Sequence, residues 1–144
     1  MRWWDFDDVH RIETECFPHD CWSVDQFWRE VAGETRDYLV AVADVLIGYV
    51  GVSTLAPDSD LQTLAIDPGH QGSGSGRVLL EAAIDVAVER GASSMILEVR
   101  SDNHSALGLY ENCGFEAIAT RSRYYPDGGN AVIMRKRPLP AGAR

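Results

Sequence analysis

Leu61-Gln62-Thr63-Leu64-Ala65-Ile66-Asp67-Pro68-Gly69, running on through Gln71-Gly72-Ser73-Gly74-Ser75-Gly76 into Arg77-Val78-Leu79-Leu80, is the stretch that decides how this chain folds. Leu61 to Ile66 predicts a strand, and Asp67-Pro68-Gly69 predicts the turn that ends it. Val78, Leu79, Ala82, Ala83, Val86 and Ala87 then recur on one wide helical face, with Gly91 suited to stop the helix. Glycines between such a strand and helix let the backbone turn tightly and aim successive N–H groups at one point. The helix N-terminus adds unpaired donors and the positive end of its dipole, so the segment favours an anion, most naturally on a phosphate-bearing ligand. A nucleotide-hydrolysing P-loop needs Gly-Lys followed by Ser or Thr, and this loop has no lysine. A dinucleotide loop needs GxGxxG, whereas Gly72, Gly74 and Gly76 are spaced GxGxG and their strand follows a hairpin. On these residues alone a plain Gly/Ser loop stays open.

Upstream, Phe6, Val9, Ile12 and Cys16 fall at roughly helical spacing and predict a first helix. Ser23-Val24-Asp25-Gln26 has the form of a capping box, opening a second helix with Phe27 and Val31 facing inward. Tyr38 to Ala43 and Leu46 to Thr54 are β-branched runs separated by Asp44-Val45, and read as a hairpin. Downstream, Met95 to Val99 predicts a buried strand and Ser105 to Cys113 a short helix stopped by Gly114. Phe115 to Ala119 and Ala131 to Met134 predict a last antiparallel pair around Pro126-Asp127-Gly128-Gly129. The order implies an α+β domain, a three-layer α/β sandwich whose mixed central sheet is flanked by helices. One domain over residues 1–137 and a short tail over 138–144 are expected.

The 144 residues suffice for one core, and 45% hydrophobic content is ordinary for a globular chain. No apolar run approaches the ~20 residues that cross a bilayer, and the opening Met1-Arg2-Trp3-Trp4-Asp5 is unlike a signal peptide. A cytoplasmic address and no membrane partner are therefore expected. Thirteen basic against twenty-two acidic residues give a formal charge of −9, which argues against nucleic acid and suits a cationic substrate or simple solubility. Cys16, Cys21 and Cys113 lack CxxC spacing and suit reduced thiols, with Cys113 in the core. His19 between the first two invites a zinc reading, but no second ligand cluster completes it, and no metal is expected.

With its surroundings, the loop resembles the acyl-CoA-binding motif of the GNAT N-acetyltransferase superfamily, which Gln71, Gly74 and Gly76 match. Leu97-Glu98-Val99-Arg100, Asn103, Ala106, Leu109-Tyr110-Glu111, Gly114-Phe115 and Arg123-Tyr124-Tyr125 follow in an order that resembles the RimI family. Those bacterial enzymes acetylate the N-terminal alanine of small-subunit ribosomal protein eighteen. The resemblance implies a GNAT fold with about six or seven strands, acetyl-CoA as co-substrate, and the N-terminus of a basic ribosomal protein as acceptor. It implies that Gln71, Gly72, Ser73, Gly74, Ser75, Gly76 and Arg77 hold the pyrophosphate, and that the strand containing Leu64, Ala65 and Ile66 pairs with the pantetheine arm. Asn103 would contact the cofactor, or cap the helix that follows. Asn130-Ala131 stands where the family usually has Asp-Ala, so no contact relying on a charge there carries over.

A carboxylate within Met95-Ile96-Leu97-Glu98-Val99 is expected to be partly desolvated, as suits a general base taking a proton from an attacking ammonium. A structural ion pair with Arg100 or another cation is equally compatible with those residues. Resemblance to the RimI family implies the base for Glu98, and for Tyr110 the acid that protonates the departing thiolate; otherwise Tyr110 packs on the core. Backbone amides near Leu64 and Ala65 would polarise the thioester carbonyl. Phe17, Pro18 and Trp22 would form one wall of the peptide entrance and Tyr124 and Tyr125 the other; Trp22 also fits a hydrophobic staple. Two rivals remain at this level: a GNAT enzyme for another protein N-terminus, a lysine or a small amine, and an inactive acyl-CoA-binding sensor or partner subunit. Oligomeric state is not legible.

Overall fold

Each helix and strand starts where local chemistry allows it. In the computed structural model, which describes residues 1–18 and 21–140, Ser23 Oγ accepts from Gln26 N at 3.2 Å. Gln26 Oε1 accepts from Ser23 N at 2.7 Å, completing the capping box of α2 (Val24–Val31). Trp22, just before the cap, packs on Phe27 with ring centroids 5.2 Å apart, which is the staple. Phe27 is fully buried, whereas Val31 is only half-buried. The first helix, α1 (Phe6–Cys16), buries Phe6, Val9, Ile12 and also Glu13. His19 and residues 141–144 of the expected tail lie outside the described residues. Leu139, inside that expected tail, is instead a core residue, and its N–H donates to Ser93 O at 2.8 Å.

Six strands form one mixed sheet: β1 (Arg36–Ala43), β2 (Val45–Leu55), β3 (Asp58–Ile66), β4 (Met95–Arg100), β5 (Glu116–Arg121) and β6 (Ala131–Lys136). Their order is β1-β2-β3-β4-β6-β5, parallel between β3 and β4 and antiparallel elsewhere. Asp44 alone turns the first hairpin, at φ 63°, a left-handed conformation that a short polar side chain tolerates. Val45, expected in the turn, already pairs with Ala43. The last strand inserts beside β4, leaving β5 at the edge with all six residues exposed. Of the expected apolar run Phe115 to Ala119, only Phe115 is buried.

Helix α3 (Ser75–Glu89) carries the chain from β3 to β4, the crossover that a parallel pair requires. With α4 (His104–Asn112) it covers one sheet face, where Leu79, Leu80, Ala83 and Tyr110 pack on Val50, Leu97 and Met134. Helices α1 and α2 cover the other, where Val9, Ile12 and Phe27 pack on Leu46, Tyr49 and Ala65. The strand β2, buried between both layers, accordingly reads as a continuous apolar run rather than an alternating one. Among the described residues no helix is long and apolar enough to cross a membrane.

Candidate active site

The site begins with a parallel pair that fails to stay paired. At one end β3 and β4 are pinned: Ser59 Oγ donates to Ser94 O at 2.7 Å, and Ser94 Oγ to Asp58 Oδ1 at 2.9 Å. Asp60 opposite Ile96 is their single registered pair, and beyond it the strands part. The gap exposes one edge of β3. Asp67 N donates to Ile47 O at 2.7 Å, and antiparallel alternation from that bond ties Ala65 and Thr63 to β2. Leu64 and Ile66 therefore turn their amides toward the gap. Consistently, Ile66 O faces away from β2 and accepts from Cys16 Sγ at 3.3 Å and Gln71 Nε2 at 3.1 Å. This corrects the expectation for Ala65: it lines the gap, but its N–H belongs to the β2 ladder.

Next to the open edge lies the glycine loop. Gly72 and Gly74 adopt φ of 81° and 87°, where a Cβ would meet no neighbour, so backbone conformation alone calls for glycine. Gly74 is the N-cap of α3 and offers no side-chain bond, and the first helical bond runs from Val78 N to Gly74 O at 3.2 Å. The amides of Ser75, Gly76 and Arg77 are thus left at the helix N-terminus without a capping side chain, an arrangement suited to an anion. Ser73 Oγ donates to His70 O at 2.7 Å and lies 2.9 Å from Ser75 Oγ, so these hydroxyls stiffen the loop. Neither serine lines the adjoining cavity of about 560 Å³, which Gln71, Gly72, Gly74, Gly76 and Arg77 do. Amides, glycine cradle and open strand edge together fit a pyrophosphate followed by an extended pantetheine arm. Gly74→Ala should weaken CoA binding about tenfold by calorimetry, because the left-handed conformation costs a residue with a Cβ roughly 1–2 kcal/mol. An unchanged Kd would place the anion elsewhere.

A second cavity of about 550 Å³ opens on the other side of the gap and meets the first at Cys16, Phe17, Leu64, Asn103, Ala106 and Tyr110. Asn103 caps α4, its Oδ1 accepting from Ala106 N at 3.1 Å, and also lines both cavities. Tyr110 is 7% exposed and packs edge-on against Phe115 at 5.9 Å. Burial pushes its phenol above the usual range, with a smaller push from Tyr125, so it holds its proton. Phe17 and Trp22 line the second cavity from the α1–α2 connection, and Tyr124 and Tyr125 line it from the β5–β6 connection. Pro18 is exposed and does not line it, against expectation.

Arg100 fixes that second connection. Its guanidinium reaches Asp102 at 3.2 Å and Asp127 at 2.7 Å, and lies 4.8 Å from the centre of the Tyr125 ring. It is therefore engaged away from Glu98, whose charged neighbour is Arg121 at 3.8 Å. Asn130 Oδ1 accepts from Arg123 N at 3.0 Å, a contact that needs no charge and holds Arg123 at its positive φ of 54°. Glu98 itself stands on the cavity side of β4 with its side chain 34% exposed, facing the cavity and not the apolar core. Strand alternation is the reason: Leu97 and Val99 go into the core, and Glu98 goes the other way. Its carboxylate bonds to and repels charge on the Tyr124 phenol, pushing that group up.

Three ionisable residues of the second cavity escaped the sequence reading as site residues. Glu13, 2% exposed, accepts from Tyr49 OH at 3.0 Å. Cys16 sits where the cavities join, its thiol pushed up to about 11 by burial and then by Glu13, Glu15 and Asp67. Asp60 lies at the pinned end, its carboxyl pushed up by partial desolvation and then by Asp58 and Glu98. A signal existed for two of them. Val9, Ile12, Glu13 and Cys16 share one helical face, which places a carboxylate in an apolar stripe. Among the described residues, no group of three or more His, Cys, Asp or Glu is placed to hold a metal ion.

The fold and this cleft define an acyl-transfer enzyme class, and comparison with known proteins agrees. The model of the acetyltransferase (GNAT) family matches residues 6–115, and the chain belongs to that family of acetyl-CoA-using N-acetyltransferases. It is 40% identical over 139 residues to the ribosomal protein bS18-alanine N-acetyltransferase of Escherichia coli, covering 94% of this chain and 92% of that one. The crystal structure of the E. coli ribosomal-protein-alanine N-acetyltransferase superposes with a TM-score of 0.85 at 30% identity, over 100% of this chain and 94% of that one. An uncharacterized protein of Mycobacterium leprae is 39% identical over 139 residues, 92% of this chain; the match spans only 38% of that longer protein.

Proposed function

We propose that the chain transfers acetyl from acetyl-CoA to the N-terminal alanine of small-subunit ribosomal protein bS18, by direct attack of the free α-amine. The observation that carries this is the meeting of the two cavities at Tyr110, with an amide-lined anion seat on one side and Glu98 on the other. The name of the E. coli relative supports the acceptor. Gly72, Gly74 and the first amides of α3 hold the pyrophosphate, and β3 holds the pantetheine arm. Acetyl-CoA, when bound, supplies the acetyl thioester. The amides of Leu64 and Ile66 are the donors available to its carbonyl oxygen. Glu98 takes a proton from the acceptor amine, directly or through water, and Tyr110 gives one to the departing sulfur.

An α-amine suits this site better than a lysine. Its reference pKa of about 7.7–8.0 leaves a sizeable neutral fraction near pH 7.5, whereas lysine at about 10.4 leaves roughly one part in a thousand. With a ribosomal protein as acceptor, the reaction takes place in the cytoplasm. The test is a competition: acetyl-CoA with a hexapeptide beginning Ala-Arg-Tyr, the same peptide N-terminally blocked and carrying a lysine, and a polyamine. Transfer to the free N-terminus should dominate. Robust transfer to lysine or polyamine with none to the free N-terminus would sink the assignment, and CoA binding without any transfer would favour a sensor.

A further inference from the structure

The acceptor cavity holds an acidic side chain without a partner. Three carboxylates line it. Glu13 is buried and bonded to Tyr49, and Glu98 has Arg121 and Tyr124 beside it. The carboxylate of Asp60 has no hydrogen bond or ion pair among the described residues. The cavity's one lining cation, among those residues, is Arg100, which is committed to Asp102 and Asp127. Nothing in the cavity therefore neutralises Asp60, while Asp58 and Glu98 add negative charge around it.

Its place in the sheet says what would reach it. Asp60 is level with Ile96, and Glu98 lies two residues further along the same face of β4. That separation is roughly 7 Å along the strand. It compares with the reach from a peptide's α-amine to the cationic head of the side chain on the following residue.

Resting on the reading of the cleft as a peptide N-terminal acetylation site, we propose that Asp60 is a specificity-determining residue that selects acceptors with a basic side chain at their second residue. The carboxylate pairs with an arginine or lysine head there while Glu98 faces the α-amine. Asp60 takes no part in the proton transfers. Its contribution lies in choosing the acceptor.

The test uses two hexapeptides, identical but for Arg or Gln at the second residue, assayed with wild type and Asp60→Asn. Wild type should favour the Arg peptide in kcat/KM by about fivefold, the scale of a partly solvated ion pair. Asp60→Asn should bring that ratio to near one. Asp60→Lys should invert the preference, favouring a peptide with Glu at the second residue, a result that loss of folding cannot imitate. No preference in wild type, or a preference that survives both substitutions, overturns the role of Asp60 while leaving N-terminal acetylation standing. Failure of wild type to acetylate any free peptide N-terminus overturns the underlying reading and this role with it.

Discussion

Glu98→Gln is expected to lower kcat about a hundredfold to a thousandfold, the usual scale of a general base, while leaving CoA affinity within about twofold. The substitution is close to isosteric, and the β4–β6 ladder that places residue 98 opposite Ile133 is made by backbone. What is lost is the ability to accept a proton and the contact with Arg121. That contact, at 3.8 Å between side chains 59% and 34% exposed, is worth no more than about 1 kcal/mol. An ion pair of that size changes a rate by about fivefold at most if all of it is felt in the transition state. The two roles therefore differ by more than a factor of ten in their predicted consequence. Thiol release under saturating acetyl-CoA and acceptor measures kcat, and calorimetry with CoA checks the other cavity. A loss under fivefold, matched by Arg121→Ala, would return Glu98 to a structural role.

Local signals and long-range pairing divide what the sequence disclosed. The strand–loop–helix from Leu61 to Val86 was legible because each step rests on chemistry within a few residues: alternation, an Asp-Pro turn, glycines before a helix. The capping box at Ser23 and Gln26 and its Trp22 staple were legible for the same reason. The extent of β3 was not. Asp58-Ser59-Asp60 carries no strand propensity, and it pairs because the hairpin continues it along Ser53 to Leu55 of β2, while Ser59 and Ser94 fasten β3 to β4 across 35 residues of sequence. That pin also sets where the strands part, so the gap that makes the site depends on a contact invisible to any local window. Asp60 was missed with it. The insertion of β6 between β4 and β5 and the diversion of Arg100 to Asp127 are likewise long-range outcomes. Glu98 shows the limit from the other direction. Its apolar neighbours suggested partial desolvation among them, yet they are buried because they alternate with it, and Glu98 faces the cavity.

Tyr110→Phe is expected to lower kcat roughly a hundredfold with little change in Tm. The ring is the structural part of this residue: it lies in the main core, edge-on to Phe115, and phenylalanine keeps that packing. The hydroxyl is the part that can matter to chemistry, since it belongs to the one tyrosine that lines both cavities. Burial keeps it protonated, which is the state an acid must be in before it acts. A thiolate leaving into this cleft without a donor would be stranded away from water, and the cost of that charge falls on the transition state. If Tyr110 only filled space, its phenylalanine variant would turn over at nearly the wild-type rate, and Tyr110→Ala would lose stability and activity together. A second readout separates the acid from the filler. Acetyl thioesters of increasingly acidic thiols should narrow the gap between wild type and Tyr110→Phe, because a better leaving group needs less protonation. The same series should not narrow the gap for Glu98→Gln, whose missing proton acceptor serves the amine. Parallel narrowing in both variants would mean that the two residues do not divide the proton transfers as base and acid.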